Sequence, residues 1–458
     1  MSSAYDLSRR KFIGNACAAV GATGLLSALA QLRMIGAAAA DSSTSTDYKA
    51  LVCLFLYGGN DSNNVLIPYD NTDYAAYAAQ RTALAIPQST LLPISPKTSN
   101  GIAWALHPSL VEVQSLFGAG NLALLANTGT LVQPVTLAQY NSGTAALPPQ
   151  LFSHADQQVQ WQSSVPDQPF QTGWGGRLAD LINAINTNSK ISMSVSVAGE
   201  NSFQVGNVVQ QFAVDPSGAV VLSGTTGGTV NPVRFTAEQN VLSQQDANLF
   251  QAAFGGVTSS AIGASATLNS VLKGSTPLKT TFPATTLGTQ LQMIAQLISA
   301  APALGLKRQI FFASLGGFDL HSGELPAHAA LLQQLSQGLN AFSSATNELG
   351  VANQVTTFTA SDFSRTYNTN SDGSDHGWGS HHLIMGGAVN GGNIYGTMPE
   401  LVIGGPNDTG RGRWIPTTSV DQYSATLASW FGVSATNLPI VLPNIGRFAT
   451  SNLGFMGT

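Results

Sequence analysis

Ala50-Leu51-Val52-Cys53-Leu54-Phe55-Leu56-Tyr57, closed by Gly58-Gly59-Asn60-Asp61, is the stretch from which the fold can be read. Its first eight residues carry no charge and do not alternate with polar ones. A strand with one wet face alternates; a continuous apolar run of this length, stopped by two glycines, suits a strand covered on both faces. The pattern returns in Arg308-Gln309-Ile310-Phe311-Phe312-Ala313-Ser314-Leu315, which ends in Gly316-Gly317-Phe318-Asp319. It returns again in Val355 to Thr359 before Ser361-Asp362, in Leu383-Ile384-Met385 before a glycine pair, and in Leu401-Val402-Ile403 before another. Leu122 to Ala126 is a further strand candidate.

Between these runs the apolar period changes from continuous to helical. Pro108 to Phe117, Gly176 to Ile185 and Gln422 to Phe431 fit helices. Pro326 to Leu349 is the clearest, with Leu331, Leu332, Leu335, Leu339 and Phe342 on one stripe and Pro326 suited to the first turn. Alternating strands and helices predict an α/β fold with a mainly parallel central sheet flanked by helices. Residues 191–300 differ. Ile191 to Phe235 reads as hairpins, and Thr236 to Ala300 as two or three helices of low charge. The expected organisation is a first α/β part at 41–190, a mixed β and helical cap or insertion at 191–300, and a second α/β part at 301–458.

The first forty residues read as an export signal. Ser8-Arg9-Arg10-Lys11-Phe12 is a twin-arginine motif, followed by an Ala- and Gly-rich apolar run that ends in Ala37-Ala38-Ala39-Ala40. Gly14, Asn15, Gly21, Gly24 and Arg33 make that run too weakly hydrophobic for an anchor, so no stable membrane span is expected after cleavage. The export machinery is then a partner, and the expected location is periplasmic or secreted, in a bacterium. Cleavage removes four of the 18 basic and one of the 23 acidic residues, which leaves 14 against 22 and a net charge of −8. No basic patch remains, which argues against nucleic acid as a partner. Cleavage also removes Cys17, one of the two cysteines, so Cys53 stands alone as a small buried side chain and no internal disulfide can form.

In parallel sheets the working side chains collect beyond the carboxyl ends of the strands. Asp61, Asp319 and Asp362 each follow a strand there. Gly373-Ser374-Asp375-His376-Gly377-Trp378-Gly379-Ser380-His381-His382 adds an acid and three of the seven histidines within ten residues. Carboxylate and neutral imidazole are ligands for zinc-like cations, and glycines let a loop bend around an ion. Asp319-Leu320-His321 offers another pair. Adjacent side chains point apart in extended backbone, so only one of His381 and His382 is expected to face a site. Ser153-x-x-Asp156 matches a capping box, and a hydroxyl at a helix start is also placed to act as a nucleophile. His107 and His328 read as structural. There is no Walker loop, no G-x-G-x-x-G, no H-E-x-x-H and no G-x-S-x-G.

These residues resemble the DUF1501 proteins. The resemblance is carried by the twin-arginine signal, Gly58-Gly59-Asn60-Asp61 with Asn64 and Pro68, and His107-Pro108-x-Leu110. It continues in Ser153-His154-x-x-x-Gln158, Gly173-Trp174-x-Gly176-Arg177, Gly316-Gly317-Phe318-Asp319-x-His321 and Asp375-His376-Gly377. Ser361-Asp362-Phe363-Ser364-Arg365 departs from a family pattern that looks like Ser-Glu-Phe-Gly-Arg. The resemblance implies a place beside alkaline phosphatases and sulfatases. It implies Asp61, Asp375 and His376 around one divalent cation of zinc type, and Asp319, His321 and His382 around another, so one or two ions. It implies Ser153 or water as the attacking group. Arg365 or Arg177 would steady the anion, with hydrogen bonds from Asn60, Asn63 and Asn64. The expected function is an exported metal-dependent hydrolase of phosphate or sulfate esters, acting on a small molecule or a polymer. The alternatives are a non-catalytic, metal-stabilised envelope binding protein and a mononuclear oxidoreductase using two histidines and a carboxylate.

Overall fold

The computed structural model describes residues 47–457 except 99–100, 188, 217, 219–228 and 245–247. The twin-arginine stretch and the apolar run after it lie outside the described residues.

Fourteen strands are described. They are β1 (Lys49–Leu56), β2 (Leu66–Pro68), β3 (Leu92–Ile94), β4 (Trp104–Leu106), β5 (Leu122–Gly129), β6 (Ser194–Ser196) and β7 (Phe212–Ala213), then β8 (Arg308–Leu315), β9 (Val355–Ser361), β10 (Arg365–Thr369), β11 (Ser374–His376), β12 (Ser380–Met385), β13 (Ile394–Tyr395) and β14 (Thr418–Ser419). Nine of them form the main sheet, in the order β13-β5-β12-β9-β1-β8-β6-β7, with β14 pairing to β5. The run that opened the reading is the strand between β8 and β9, and it is parallel to both. Ala50 to Leu56 are buried throughout, as a strand covered on both faces requires. Each fully buried Leu or Phe here stabilises the fold by about 1.5–3 kcal/mol.

Leu56 stands in register with Leu315 and with Ser361, so β1, β8 and β9 end on a common rim. β12 is antiparallel to both β5 and β9, which puts its first residues at that rim rather than its last. The loop feeding β12 therefore reaches the same place as the loops leaving β1, β8 and β9.

Helices form over the stretches the apolar period marks, and at 71–81 and 154–163 besides. α1 (Asn71–Arg81) and α2 (Val111–Gly118) come first, then α3 (His154–Ser163) and α4 (Trp174–Ile182). α5 (Asn231–Leu242), α6 (Leu249–Gly274) and α7 (Thr286–Ser299) fall in the 191–300 range, and α8 (Glu324–Glu348) and α9 (Val420–Phe431) follow. α8 buries Leu332, Leu335, Leu339 and Phe342 and packs on α7 and α2. α9 starts with a capping box between Ser419 and Gln422. No described helix is long and apolar enough to cross a membrane.

Two local expectations change. β6 and β7 are not a hairpin; they lie parallel to each other at the edge of the main sheet, β6 beside β8, so this part of 191–300 extends the body. Leu401-Val402-Ile403 is not a strand. Gly404 takes a positive φ of 77°, Gly405 N–H bonds back to Val402 O, and Val402 is exposed. A smaller sheet, β2-β4-β3, carries a second core of Ile67, Tyr77, Ala105, Tyr367 and Trp414.

Candidate functional site

The loop after β1 can meet the loop after β8 because Gly58 and Gly59 follow Tyr57 there. Gly58 has φ 112°, and a Cβ there would lie 2.4 Å from Asp319 N. Asp319 then projects from the rim, and Arg365 at the start of β10 donates to its Oδ1 at 2.8 Å while also bonding Gly58 O. Burial opposes ionisation of Asp319, but Arg365 and the histidines around it hold its carboxyl below the ordinary value.

Three imidazoles close on that oxygen. His321 Nε2 lies 3.0 Å from Asp319 Oδ1, His154 Nε2 3.4 Å and His376 Nε2 3.4 Å. His321 Nε2 and His376 Nε2 are 3.1 Å apart. Each ring is oriented through its other nitrogen. His154 Nδ1 bonds Asp362 Oδ2 at 2.7 Å, His376 Nδ1 bonds Phe152 O at 2.7 Å, and His321 Nδ1 meets Asp375 Oδ1 at 3.2 Å. A carbonyl and two carboxylates only accept, so Nδ1 carries the proton in each ring. The three Nε2 lone pairs are left facing one carboxylate oxygen. His154 Nε2 is buried and has no hydrogen-bond partner.

Such an arrangement repels itself unless a proton or cation sits within it. Zinc–nitrogen bonds near 2.05 Å put tetrahedral ligand atoms about 3.3 Å apart. The separations of Asp319 Oδ1 from His154 and His376 fit that edge, and the ligand atoms of His154, Asp319 and His376 lie within 4.8 Å of one another. The residues present therefore fit a divalent cation. Hydrogen-bonded outer partners on the imidazoles are what metal-binding histidines ordinarily have. Burial lowers the His376 pKa, which favours the neutral form a ligand needs. The hydrogen bond to Asp362 raises that of His154, so there a proton competes.

Of the residues singled out in the sequence, Asp319, His321, Asp375 and His376 come together here. Arg365 joins them, but its side chain is buried and spent on Asp319, Gly58 O and Ser374 O; it positions the carboxylate and does not face the solvent. Ser153 precedes α3, and its Oγ donates to Asp156 Oδ2 at 2.5 Å instead of capping the helix. Asp375 is also held by Arg411 and Asn370.

Asp61 and His382 are not brought to the cluster, which corrects the two-ion ligand sets. Asp61 is buried and pairs with Arg81, and Arg81 lies 3.7 Å from Glu324. Burial resists its ionisation, yet Arg81 and bonds from Glu324 and Asn63 hold its pKa below the ordinary value. Its charge is already answered. His382 is buried one step inside β12, between the rings of Trp161 and Tyr423. His381 accepts the Asn127 N–H at 2.9 Å. The proposed substrate donors are corrected as well. Asn60 Oδ1 is bound to His328, Asn64 bonds Leu84 O and Tyr77, Asn63 bonds Arg365 O, and Arg177 gives its donors to Val441 O, Thr172 O and Ser163 O. His107 and His328 are buried, as expected for structural residues.

His154 and Asp362 enter the site without having been assigned a ligand role. The signal was in Ser153-His154-x-x-x-Gln158. His154 and Gln158 are four apart on α3, and both bond Asp362 Oδ2. Phe152, with a φ of 72°, turns its carbonyl toward His376.

The family whose description reads protein of unknown function, DUF1501, matches residues 48–406. The chain belongs to the DUF1501 family. No curated protein matches this DUF1501 chain. Among solved structures it is similar to the PsFucS1 sulfatase from Pseudoalteromonas sp., at 10% identity over 94% of this chain and 74% of that one, with a TM-score of 0.37. It is similar to the phosphonate monoester hydrolase SpPMH from Silicibacter pomeroyi, at 8% identity over 86% and 77%, with a TM-score of 0.33. A mutant of the alkaline phosphatase PafA matches at 13% identity over 71% and 64%, with a TM-score of 0.24. These are likenesses in the course of the backbone.

Proposed function

We propose that this DUF1501 protein is a metal-dependent hydrolase of phosphate or sulfate esters. The observation that carries the reading is the meeting of three Nε2 lone pairs with Asp319 Oδ1. His154, Asp319 and His376, with His321 beside them, would hold one divalent cation of zinc type. Bound there, the cation supplies positive charge to an ester oxygen.

The chain's own residues supply the rest. Arg365 fixes Asp319, Asp362 fixes His154, and Asp375 fixes His321. Arg411, half exposed beside Asp375, and Arg413, bonded to His376 O, put two guanidinium groups at the edge where an anionic ester would dock. Ser153 stands between Phe152 and His154, both of which touch the cluster. Its hydroxyl is the candidate attacking group, with Asp156 placed to take the proton. Replacing Ser153 with Ala separates the two attacking groups. Lost turnover with metal retained assigns the attack to the serine; retained turnover assigns it to water.

The test is metal analysis of the purified protein together with aryl phosphate and aryl sulfate assays. Turnover that persists unchanged in His376→Ala would end the proposal. A metal-loaded protein that turns over no ester would move the reading to the envelope binding protein, which the engagement of Ser153 with Asp156 would then favour. Export by the twin-arginine route, to the periplasm or beyond, is proposed from Ser8 to Phe12. Cell fractionation of an Arg9→Lys, Arg10→Lys double variant tests it, and an unchanged location overturns it.

A further inference from the structure

A cavity of about 570 Å³ opens beside the smaller sheet and shares no lining residue with the histidine cluster. Its volume is that of an ordinary small-molecule pocket. Tyr77, Trp104 and Tyr367 lie beneath it, each almost wholly buried, and Ile102, Met398, Leu401 and Val402 give it an apolar lining. Two carboxylates, Asp73 on α1 and Glu400 in the loop after β13, line the same space, and among the described residues no Lys, Arg or His does. Asp70 caps α1 and accepts the Asp73 backbone N–H. Lys97 Nζ lies near Gly120 and Gly392. Arg81 lies under the Tyr367 ring, but Asp61 already pairs with it.

An apolar lining with two carboxylates disfavours anions. It accepts a molecule whose apolar body covers Ile102, Met398 and Leu401 and whose cation meets the carboxylates. We propose that this cavity binds a small apolar organic cation, an arylalkylammonium in chemical class. The site is separate from ester hydrolysis, so either reading can fail without the other.

The test is isothermal titration calorimetry of the purified protein with three probes of one shape: benzyltrimethylammonium, benzyl alcohol and benzenesulfonate. Saturable one-to-one binding of the ammonium is expected, with the alcohol and the sulfonate each at least about tenfold weaker. Asp73→Asn with Glu400→Gln should weaken ammonium binding about tenfold. Both side chains reach solvent, so the fold is not at risk in that variant. Leu401→Trp, which takes up part of the space, should weaken binding. No saturable ammonium binding, equal binding of the sulfonate or the alcohol, or undiminished binding in the double variant overturns the proposal.

Discussion

Asp319 and Asp61 make an instructive pair. Each is an aspartate just past a parallel strand, each follows a glycine pair, and β1 and β8 are neighbours in register. Yet Asp319 gathers three imidazoles at an open rim, while Asp61 is sealed from solvent with Arg81 and Glu324. Burial, joined by the repulsion of Asp61, pushes the Glu324 pKa up to about 9, so that this side chain is a neutral hydrogen-bonding group near pH 7. One aspartate has lone pairs left to share with an ion. The other has none.

The difference can be broken from the Asp319 side first. His376→Ala should lower kcat/KM on an aryl ester by about 10³-fold or more, because the charge stabilisation at the cluster is lost. Metal content should fall with it, while the thermal midpoint of the metal-free protein barely moves, since the ring is only partly buried. Asp61→Ala should do the reverse. It leaves Arg81 buried without its main counter-charge and should cost about 3–5 kcal/mol in urea unfolding. Metal bound per folded molecule should stay the same. A loss of metal at full stability in that variant would put Asp61 back in the site.

Asp362→Asn sharpens the comparison, because Asp362 is as buried as Asp61 but bonds a candidate ligand. Metal affinity should fall about 10–100-fold. In the parent protein, affinity should also fall by about tenfold per pH unit on the acid side of the raised His154 pKa, because a proton competes for Nε2. Competition titrations with a chelator across pH read both effects.

The smallest effect concerns His382. Burial, joined by His381, pushes its pKa down to about 3. The unfolded chain takes up that proton near 6.5. Its contribution to stability is therefore full above pH 6.5 and is lost as the pH falls toward 3. His382→Phe keeps the ring between Trp161 and Tyr423 and removes the titration. The variant's stability should decline less steeply below pH 6.5, by up to about 1.4 kcal/mol per pH unit. Chemical denaturation at pH 7, 6 and 5 measures this.

Much of the fold was legible in the chain. Ala50 to Tyr57 and Ile310 to Ala313 announced central strands because nothing polar interrupts them, and the stripe through Leu332, Leu335 and Leu339 announced the long helix. Leu401 to Ile403 misled for the same reason in reverse: three apolar residues before a glycine pair look alike in a strand and in a turn. The cluster was half legible. Asp375-His376 and Asp319-x-His321 stood out by composition, but His154 sits in a helix start where a capping reading was equally good. Its pairing with Asp362 spans more than two hundred residues.

What the sequence settled by itself was that β1, β8 and β9 are buried strands whose following loops share a rim, because burial and period are written in neighbouring residues. Only the folded chain decided which acids and histidines keep unshared lone pairs. That depends on partners such as Arg81 for Asp61, Trp161 for His382 and Asp362 for His154, which the course of the backbone brings together from far along the chain.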